Sequence, residues 1–399
     1  MSFELRRCAD PAEFQSALMA IGQYFGMEPG DELSQQFAQL IPTERMHAVW
    51  DGAVVVAGAG SFPLALSVPG GELACSGTTV VGVSPTHRRR GLLRRMMRAE
   101  LDGAHERGEP LAALWASEEP IYGRFGYGQA GFAGEVSIQK GHDAYVVPSE
   151  PKGAVRLIDA DEALDAFPPL WSALARERPG VPSRSTDWWK LRSLATRGAG
   201  KNHLALLERD GAPAAYAIYH HDPKWEAGVA TGAVVVVEAI GSTPSAVAEL
   251  WRYLLDIDWI EAITASLLPP DHPLFFLLAE PRRMRYRRGD GLWVRLVDVG
   301  AALAGRTYPV EPDIVFEVRD AFCPWNEGRW HLAGGTAEQT EARPDLALEA
   351  ATLASAYLGG LGFAQLAQVG RVEELTPGAV ARADSIFHHG LHPWCPEIF

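Results

Sequence analysis

Residues 78–97 read Thr-Thr-Val-Val-Gly-Val-Ser-Pro-Thr-His-Arg-Arg-Arg-Gly-Leu-Leu-Arg-Arg-Met-Met. The first six are mostly β-branched, the composition of a buried strand. They lead through His87-Arg88-Arg89-Arg90-Gly91 into a different period. Leu92, Leu93, Met96, Met97, Leu101 and Ala104 fall at i, i+3 and i+4 and form the apolar stripe of a helix that stops near Gly108. A helix N-terminus carries unpaired backbone N–H groups and a partial positive charge. Gly91 lets the backbone approach a ligand, and the flanking arginines add charge-assisted bonds. Together they predict a cradle for a pyrophosphate. A basic run alone is usually a solvated face; its place at the exit of a buried strand is what points to a site.

Working outward, residues 11–40 carry helical spacing, broken at 28–31 by Glu-Pro-Gly-Asp. Two apolar runs, 47–50 and 53–57, flank Asp51-Gly52. Asp-Gly in that setting predicts a hairpin closed by a type I′ turn, which needs positive φ at both central residues. Downstream, 111–116 reads as a strand ending at Ser117-Glu118, and 121–125 as a helical turn after Pro120. The second third repeats the plan: a hairpin around Asp210-Gly211, a β-branched strand at 233–240, a turn, and a helix with Val247, Leu250, Trp251, Leu254 and Leu255. This predicts an internal duplication. The second turn lacks arginine and carries Gly241 only at its start, so the second cradle is expected to be degenerate. In the last third, 292–299, 314–318 and 329–332 read as strands and 346–358 as a helix ending at Gly359-Gly360. Linkers are expected at 148–153 and 288–291.

Composition narrows the function classes. The 399 residues suggest two or three domains, and 47% apolar with 22% charged residues is soluble globular composition. Lys and Arg number 36 against 50 Asp and Glu, a formal net charge of −14. That opposes nucleic-acid binding, which depends on cations meeting phosphates, and favours cationic partners. Cys8, Cys75, Cys323 and Cys395 show neither zinc spacing nor a CxxC pair and read as reduced thiols. The N-terminal charges and Pro11 do not fit a signal peptide, and no apolar run reaches a membrane span. A cytoplasmic protein is expected, with no membrane and no nucleic acid as partner.

The segment Val81-Gly82-Val83-Ser-Pro-Thr-His-Arg88-Arg89-Arg90-Gly91-Leu92-Leu93 resembles the acyl-CoA signature R/Q-x-x-G-x-G/A of GNAT acetyltransferases, with Leu93 where Gly or Ala is usual. Ile121-Tyr122-Gly123-Arg124-Phe125-Gly126-Tyr127 resembles the family's FYxxxGF-type segment. With HRRRGLLRRMM, WASEEPIYGRFGYG, the degenerate second copy and a final Phe, the chain resembles the enhanced-intracellular-survival (Eis) branch over essentially its whole length. The resemblance implies an α/β (α+β) fold with two tandem GNAT-like domains of mixed sheet and a C-terminal sterol-carrier-like α+β domain. We place them at 1–148, 149–291 and 292–399. It implies acetyl-CoA as co-substrate, no metal, a homohexamer, and acetylation of polycationic amines such as aminoglycosides and lysine-type amines. Val81 and Val83, with Gly82 between them, would meet the pantetheine. Arg89, Arg90, Gly91, Leu92, Leu93 and Arg94 would hold the phosphates, Arg88 would also bind the cofactor, and Ser117 and Glu118 would border the reactive end.

The resemblance also implies that Tyr122 protonates the leaving thiolate and that the terminal carboxylate of Phe399 serves as base. A phenol of pKa about 10 is protonated at neutral pH and suits the first role. A free carboxylate is a weak base unless buried, and the apolar, proline-stiffened 391–399 reads as a tail that is buried. Tyr127 is the competitor for the acid. His388, His389 and His392, and His220-His221-Asp222, read as structural rather than metal-ligating. The arginines of 282–288 are expected to pair with acidic neighbours or to lie at a subunit contact. The rival reading is a non-catalytic lipid- or acyl-CoA-binding protein working through its last domain, which a long apolar tunnel in 295–399 would favour.

Overall fold

The computed structural model describes residues 3–26, 30–148, 150–195 and 201–399. Glu28 and Pro29 of the expected break at 28–31, and Ser149 of the first expected linker, lie outside them. The chain forms two compact units.

The first unit comprises Met1–Ala130, Leu292–Gly390 and Ile398–Phe399. It holds a seven-stranded sheet in the order Glu4–Arg7, Met46–Asp51, Val54–Val68, Gly71–Val83, Leu111–Leu114, Trp293–Leu296, Gly128–Gln129. Every pairing is antiparallel except Gly71–Val83 with Leu111–Leu114. That parallel pair is joined by the helix Leu92–Glu106, whose apolar stripe buries Leu92, Met96, Met97, Leu101 and Ala104 as the spacing predicts. The helix Pro11–Phe25 is capped by Asp10, whose side chain accepts from the N–H groups of Ala12 and Glu13. It buries Phe14, Ala17, Leu18, Ala20 and Ile21. Its approach to the sheet depends on Gly82, where an added Cβ would stand 3.1 Å from the Ile21 backbone.

A second sheet in this unit runs Thr336–Gln339, Gly328–Ala333, Asp313–Arg319, Leu346–Glu349, Val372–Glu374. The expected helix at 346–358 is thus a strand, parallel to Asp313–Arg319, followed by the helix Ala350–Tyr357. Short apolar runs serve strand and buried helix alike, so pairing decides.

The second unit comprises Gly131–Gly291 and Leu391–Glu397. Its sheet runs Arg287–Asp290, Phe132–Gln139, Ala262–Leu268, Ala233–Gly241, Ala212–Asp222, His203–Arg209, Ala154–Ile158. Ala233–Gly241 and Ala262–Leu268 are parallel across the helix Pro244–Asp256, the same hairpin–strand–helix–strand plan as the first unit. The hairpins differ in detail. Asp210 and Gly211 both have positive φ, 52° and 77°, as a type I′ turn requires. In the first hairpin Asp51 pairs with Val54 inside the ladder, and only Gly52 has positive φ, 63°. Glycine at the first loop position is the type II′ pattern, not the expected I′.

The strands do not follow linear boundaries at 148 and 291. Phe132–Gln139 lies before residue 148 yet is an inner strand of the second unit, and Trp293–Leu296 lies after 291 yet sits between two strands of the first. Alternation along a strand shows which face is buried; it does not show which strand is the neighbour.

Candidate functional site

The ladder between Gly71–Val83 and Leu111–Leu114 spans only Cys75 to Gly77 against Leu111 to Ala113. Beyond Gly77 the two strands part. A bulge adds to the divergence: the register against Val54–Val68 shifts between Gly58 and Gly60, and Val80 takes φ 46°. For a β-branched residue this is a strained conformation of the kind that collects at functional sites. Residues 78–83 thus carry a backbone edge beyond their ladder with 111–114, free of a strand partner on that side among the described residues and open to a ligand.

At the end of that edge the chain turns through Pro85–His87. Arg89 has φ 62° and Gly91 φ 78°. Gly91 is the N-cap of the helix Leu92–Glu106 and offers no side-chain cap, so the first-turn N–H groups point outward without one. A Cβ at Gly91 would meet nothing within 4 Å, so the glycine is there for its φ. Arg88, Arg89 and Arg94 form no ion pair with a carboxylate among the described residues.

Strand edge, turn and helix N-terminus line a cavity of about 450 Å³. Val81, Gly82, Val83, Arg88, Arg89, Gly91, Leu92, Leu93 and Arg94 lie on its wall, and Ser117 and Glu118 face them. The structure brings these eleven positions together on one cavity. Arg90 is not on the wall; its guanidinium turns back to the Thr86 carbonyl at 3.4 Å and lies 5.8 Å from the Phe3 ring. Tyr24, His87, Ile121, Arg124 and Phe125 also line the cavity, and sequence reading did not single them out as site residues. Tyr24 donates its hydroxyl hydrogen to Glu118 and stacks under Arg88, 5.5 Å from ring centre to guanidinium.

A second cavity of about 260 Å³ adjoins it. Val81, Ser117 and Tyr122 line both, and Phe399 lines the second. Tyr122 sits in the short helix Glu119–Tyr122 and is 5% exposed. Burial raises its hydroxyl above the ordinary tyrosine value; a hydrogen bond with Ser117 pulls the other way, and the charge of Glu118 adds to the rise. It is therefore protonated at neutral pH. Tyr127 is fully buried, shares a hydrogen bond of 2.9 Å with Thr78, and lines neither cavity. Sequence reading also missed Leu18, Ile21, Phe25, Leu33, Phe37 and Trp115 on the second wall. For the first five the only sequence signal was helical spacing in 11–40, and for Trp115 its place in the strand read at 111–116.

The matching place in the second unit is built differently. There the strand Ala233–Gly241 leads to Thr243, whose side chain accepts from the Ala246 N–H, and Pro244 begins the helix without an N–H of its own. The donors that a phosphate would need are reduced or already bonded.

Residues 6–130 match the family described as acetyltransferase (GNAT) domain, as do residues 180–296, and residues 299–396 match the sterol carrier protein domain. An uncharacterized N-acetyltransferase of Streptomyces avermitilis is 40% identical over 389 residues, 95% of each chain. N-acetyltransferase Eis of Mycobacterium tuberculosis is 34% identical over 382 residues, 90% of each chain. The chain belongs to the Eis family of GNAT N-acetyltransferases. The crystal structure of Eis1 from Mycobacterium abscessus superposes with a TM-score of 0.87 at 30% identity, covering 99% of this chain and 100% of that one. A GCN5-related N-acetyltransferase from Anabaena variabilis shares the fold, with a TM-score of 0.86 at 22% identity over the whole of both chains. Membership makes this Eis-family chain an acetyltransferase with two GNAT domains and a sterol-carrier-like domain. It implies acetyl-CoA as co-substrate and an amine as acceptor. The cavity fits that co-substrate: a free strand edge, an uncapped helix N-terminus and arginines without carboxylate partners stand along one wall. Among the described residues no group of three or more His, Cys, Asp or Glu could hold a metal ion, and no helix is long and apolar enough to cross a membrane. In the basic 282–288 stretch, Arg287 pairs with Glu135 and Arg283 with Glu280.

Proposed function

We propose that this chain transfers the acetyl group of acetyl-CoA to a primary amine by direct attack, at the junction of the two cavities. The observation that carries the reading is that Val81, Ser117 and Tyr122 border both of them. Acetyl-CoA supplies the thioester whose C–S bond breaks as the C–N bond forms. The backbone edge at Val81 to Val83 orients the pantetheine and polarises the carbonyl, and the 88–94 segment holds the pyrophosphate. The Tyr122 hydroxyl gives its proton to the departing sulfur and is held towards it by Ser117. The acceptor enters as an ammonium and must lose two protons in all. With Phe399 as the last residue, its carboxylate takes one, directly or through water; one replaces the proton lost by Tyr122, and the net release is a single proton.

The polycationic acceptors that the family resemblance implies, aminoglycosides and lysine-type amines, are supported by the net charge of −14, which draws cations to the surface. A cytoplasmic hexamer belongs to the same reading, and light scattering of the purified chain checks the assembly. The lipid-binding alternative is not favoured. The cavity of about 500 Å³ that reaches the sterol-carrier-like part is walled by Arg319, Asp320, Glu349, Arg371 and Glu373 rather than by an apolar tunnel. The test is amine-dependent release of thiol from acetyl-CoA by the purified chain. Release at the same rate with and without amine would overturn the reading.

A further inference from the structure

We propose that the third cavity, which joins the turn 123–126 to the sterol-carrier-like part of the first unit, is a regulatory site for a small organic anion of two or more charges, borne on carboxylates or on a phosphate.

The cavity holds about 500 Å³. Two of its carboxylates are already engaged. Asp320, 4% exposed, pairs with the fully buried Arg295 and accepts from the Cys323 N–H at 2.9 Å and from the Asn326 side chain at 3.1 Å. Glu373 meets Arg319 at 3.4 Å. Two of the three guanidiniums on the wall have no such counter-charge. Arg124 donates to the Pro120 carbonyl at 3.3 Å, and Arg371 to the Ala351 carbonyl and the Ser355 hydroxyl at 3.5 and 3.4 Å. Neither forms an ion pair with a carboxylate among the described residues. Partial burial lowers the Arg371 guanidinium from its ordinary value, the mark of a cation stripped of water without a compensating charge. Arg94, likewise without a carboxylate partner, stands 5.2 Å from the ring centre of Phe322, another wall residue. Against these cations the wall sets one carboxylate with no described partner, the exposed Glu349. In a chain of net charge −14 this is a local reversal of sign.

An anion with two charges answers both arginines by charge-assisted hydrogen bonds. Ala350, Ala351 and Thr352 begin the helix Ala350–Tyr357 without a side-chain cap, and their N–H groups add donors on the same wall. Size separates the candidates. Chloride or inorganic phosphate would fill a small part of this volume, whereas pockets for organic ligands run to about 300–1,000 Å³. Glu349 can accept from hydroxyl groups, so hydroxy acids and sugar phosphates both suit the wall. Arg124 also lines the cofactor cavity. An anion that draws on it competes with the cofactor for one guanidinium, so the two ligands oppose each other.

The experiment is isothermal titration of citrate, and separately of glucose 6-phosphate, into the full chain saturated with CoA, at fixed ionic strength. CoA fills the arginine segment 88–94, and no acetyl transfer is needed for the readout. Saturable heat with a stoichiometry near one is expected for at least one probe, and the tighter of the two identifies carboxylate or phosphate as the source. Arg371 is exposed and lines neither of the other cavities. Arg371→Gln is expected to weaken the anion's Kd by about tenfold or more, the scale of one charge-assisted hydrogen bond, while the melting temperature and the Kd of CoA alone stay as in wild type. No saturable heat with either probe overturns the site. Equal affinity in wild type and Arg371→Gln places the anion elsewhere and overturns it as well. With the probe at saturation, the Kd of CoA is expected to rise several-fold in wild type and not in Arg371→Gln. No rise in wild type, or an equal rise in both, overturns the coupling through Arg124.

Discussion

At the scale of single residues, the proposed chemistry turns on two groups that 277 positions of sequence separate and one cavity wall unites, Tyr122 and Phe399. Tyr122→Phe removes a proton donor and little packing volume. We expect kcat to fall by about 10²–10⁴, the usual worth of general acid–base catalysis, with KM for acetyl-CoA nearly unchanged. Because burial raises the hydroxyl's pKa, the acid form persists as pH rises past the ordinary tyrosine value, so its ionisation should cause no loss of kcat below about pH 10. A kcat–pH profile of wild type and variant checks both statements. An inactive Tyr127→Phe beside a fully active Tyr122→Phe would move the acid, although Tyr127 lines neither cavity. Phe399 tests the base. Appending two or three small residues turns its terminal carboxylate into a neutral amide and adds bulk where the side chain is 7% exposed. Turnover should collapse while the melting temperature holds; normal turnover would leave Phe399 as packing alone.

At the scale of elements, the decisive contrast is between two helix starts. Gly91 leaves the helix Leu92–Glu106 without a side-chain cap, whereas Thr243 caps the helix Pro244–Asp256. The same strand–turn–helix plan thus leaves the helix start open in one unit and closes it with a side-chain cap in the other. The second unit spends its polar groups on packing instead. Arg184 lies between Trp171 and Trp189, 3.3 and 4.5 Å from their ring centres, and meets Glu238 at 2.6 Å and Glu397 at 2.8 Å. Trp188 donates to the same Glu397, and Tyr216 to Glu238. This cluster fastens the returning Leu391–Glu397 segment within the unit. Arg184→Met would leave Glu238, 4% exposed, without the Arg184 guanidinium, and Glu397, 8% exposed, with Arg192 at 3.7 Å in its place. Breaking a buried pair in this way costs about 3–5 kcal/mol, read as a lowered midpoint of urea unfolding. A midpoint within error of wild type would mean that water or a shifted side chain replaces the guanidinium.

At the scale of the whole molecule, one open cradle and one capped copy predict one acetyl-CoA per chain. Isothermal titration should give a stoichiometry near one, and a Thr243→Gly variant should not add a second site, since Pro244 and the missing arginines remain. Two equivalent sites would contradict the reading of the second unit as a degenerate copy.

Much of this was legible in residues 78–127. β-branched composition marked the strand, the change from runs to a three-and-four spacing marked the helix, and glycine with arginines between them marked the cradle. These are local properties, set by backbone sterics, side-chain periodicity and charge, so the sequence by itself determined the α/β plan and its duplication; of the twelve positions that the resemblance nominated for the cofactor, eleven line one cavity. Arg90 escaped because a run of three arginines says nothing of which guanidinium turns back; the φ of Arg89 and the pull of the Thr86 carbonyl decide that. Only the tertiary structure decided which sheet receives Phe132–Gln139 and which receives Trp293–Leu296, because strand pairing is a contact between segments far apart in the chain. It alone decided the wall of the second cavity as well. Leu18, Ile21 and Phe37 are core-like residues by spacing, and they become a wall only because the ladder beyond Gly77 opens beside them.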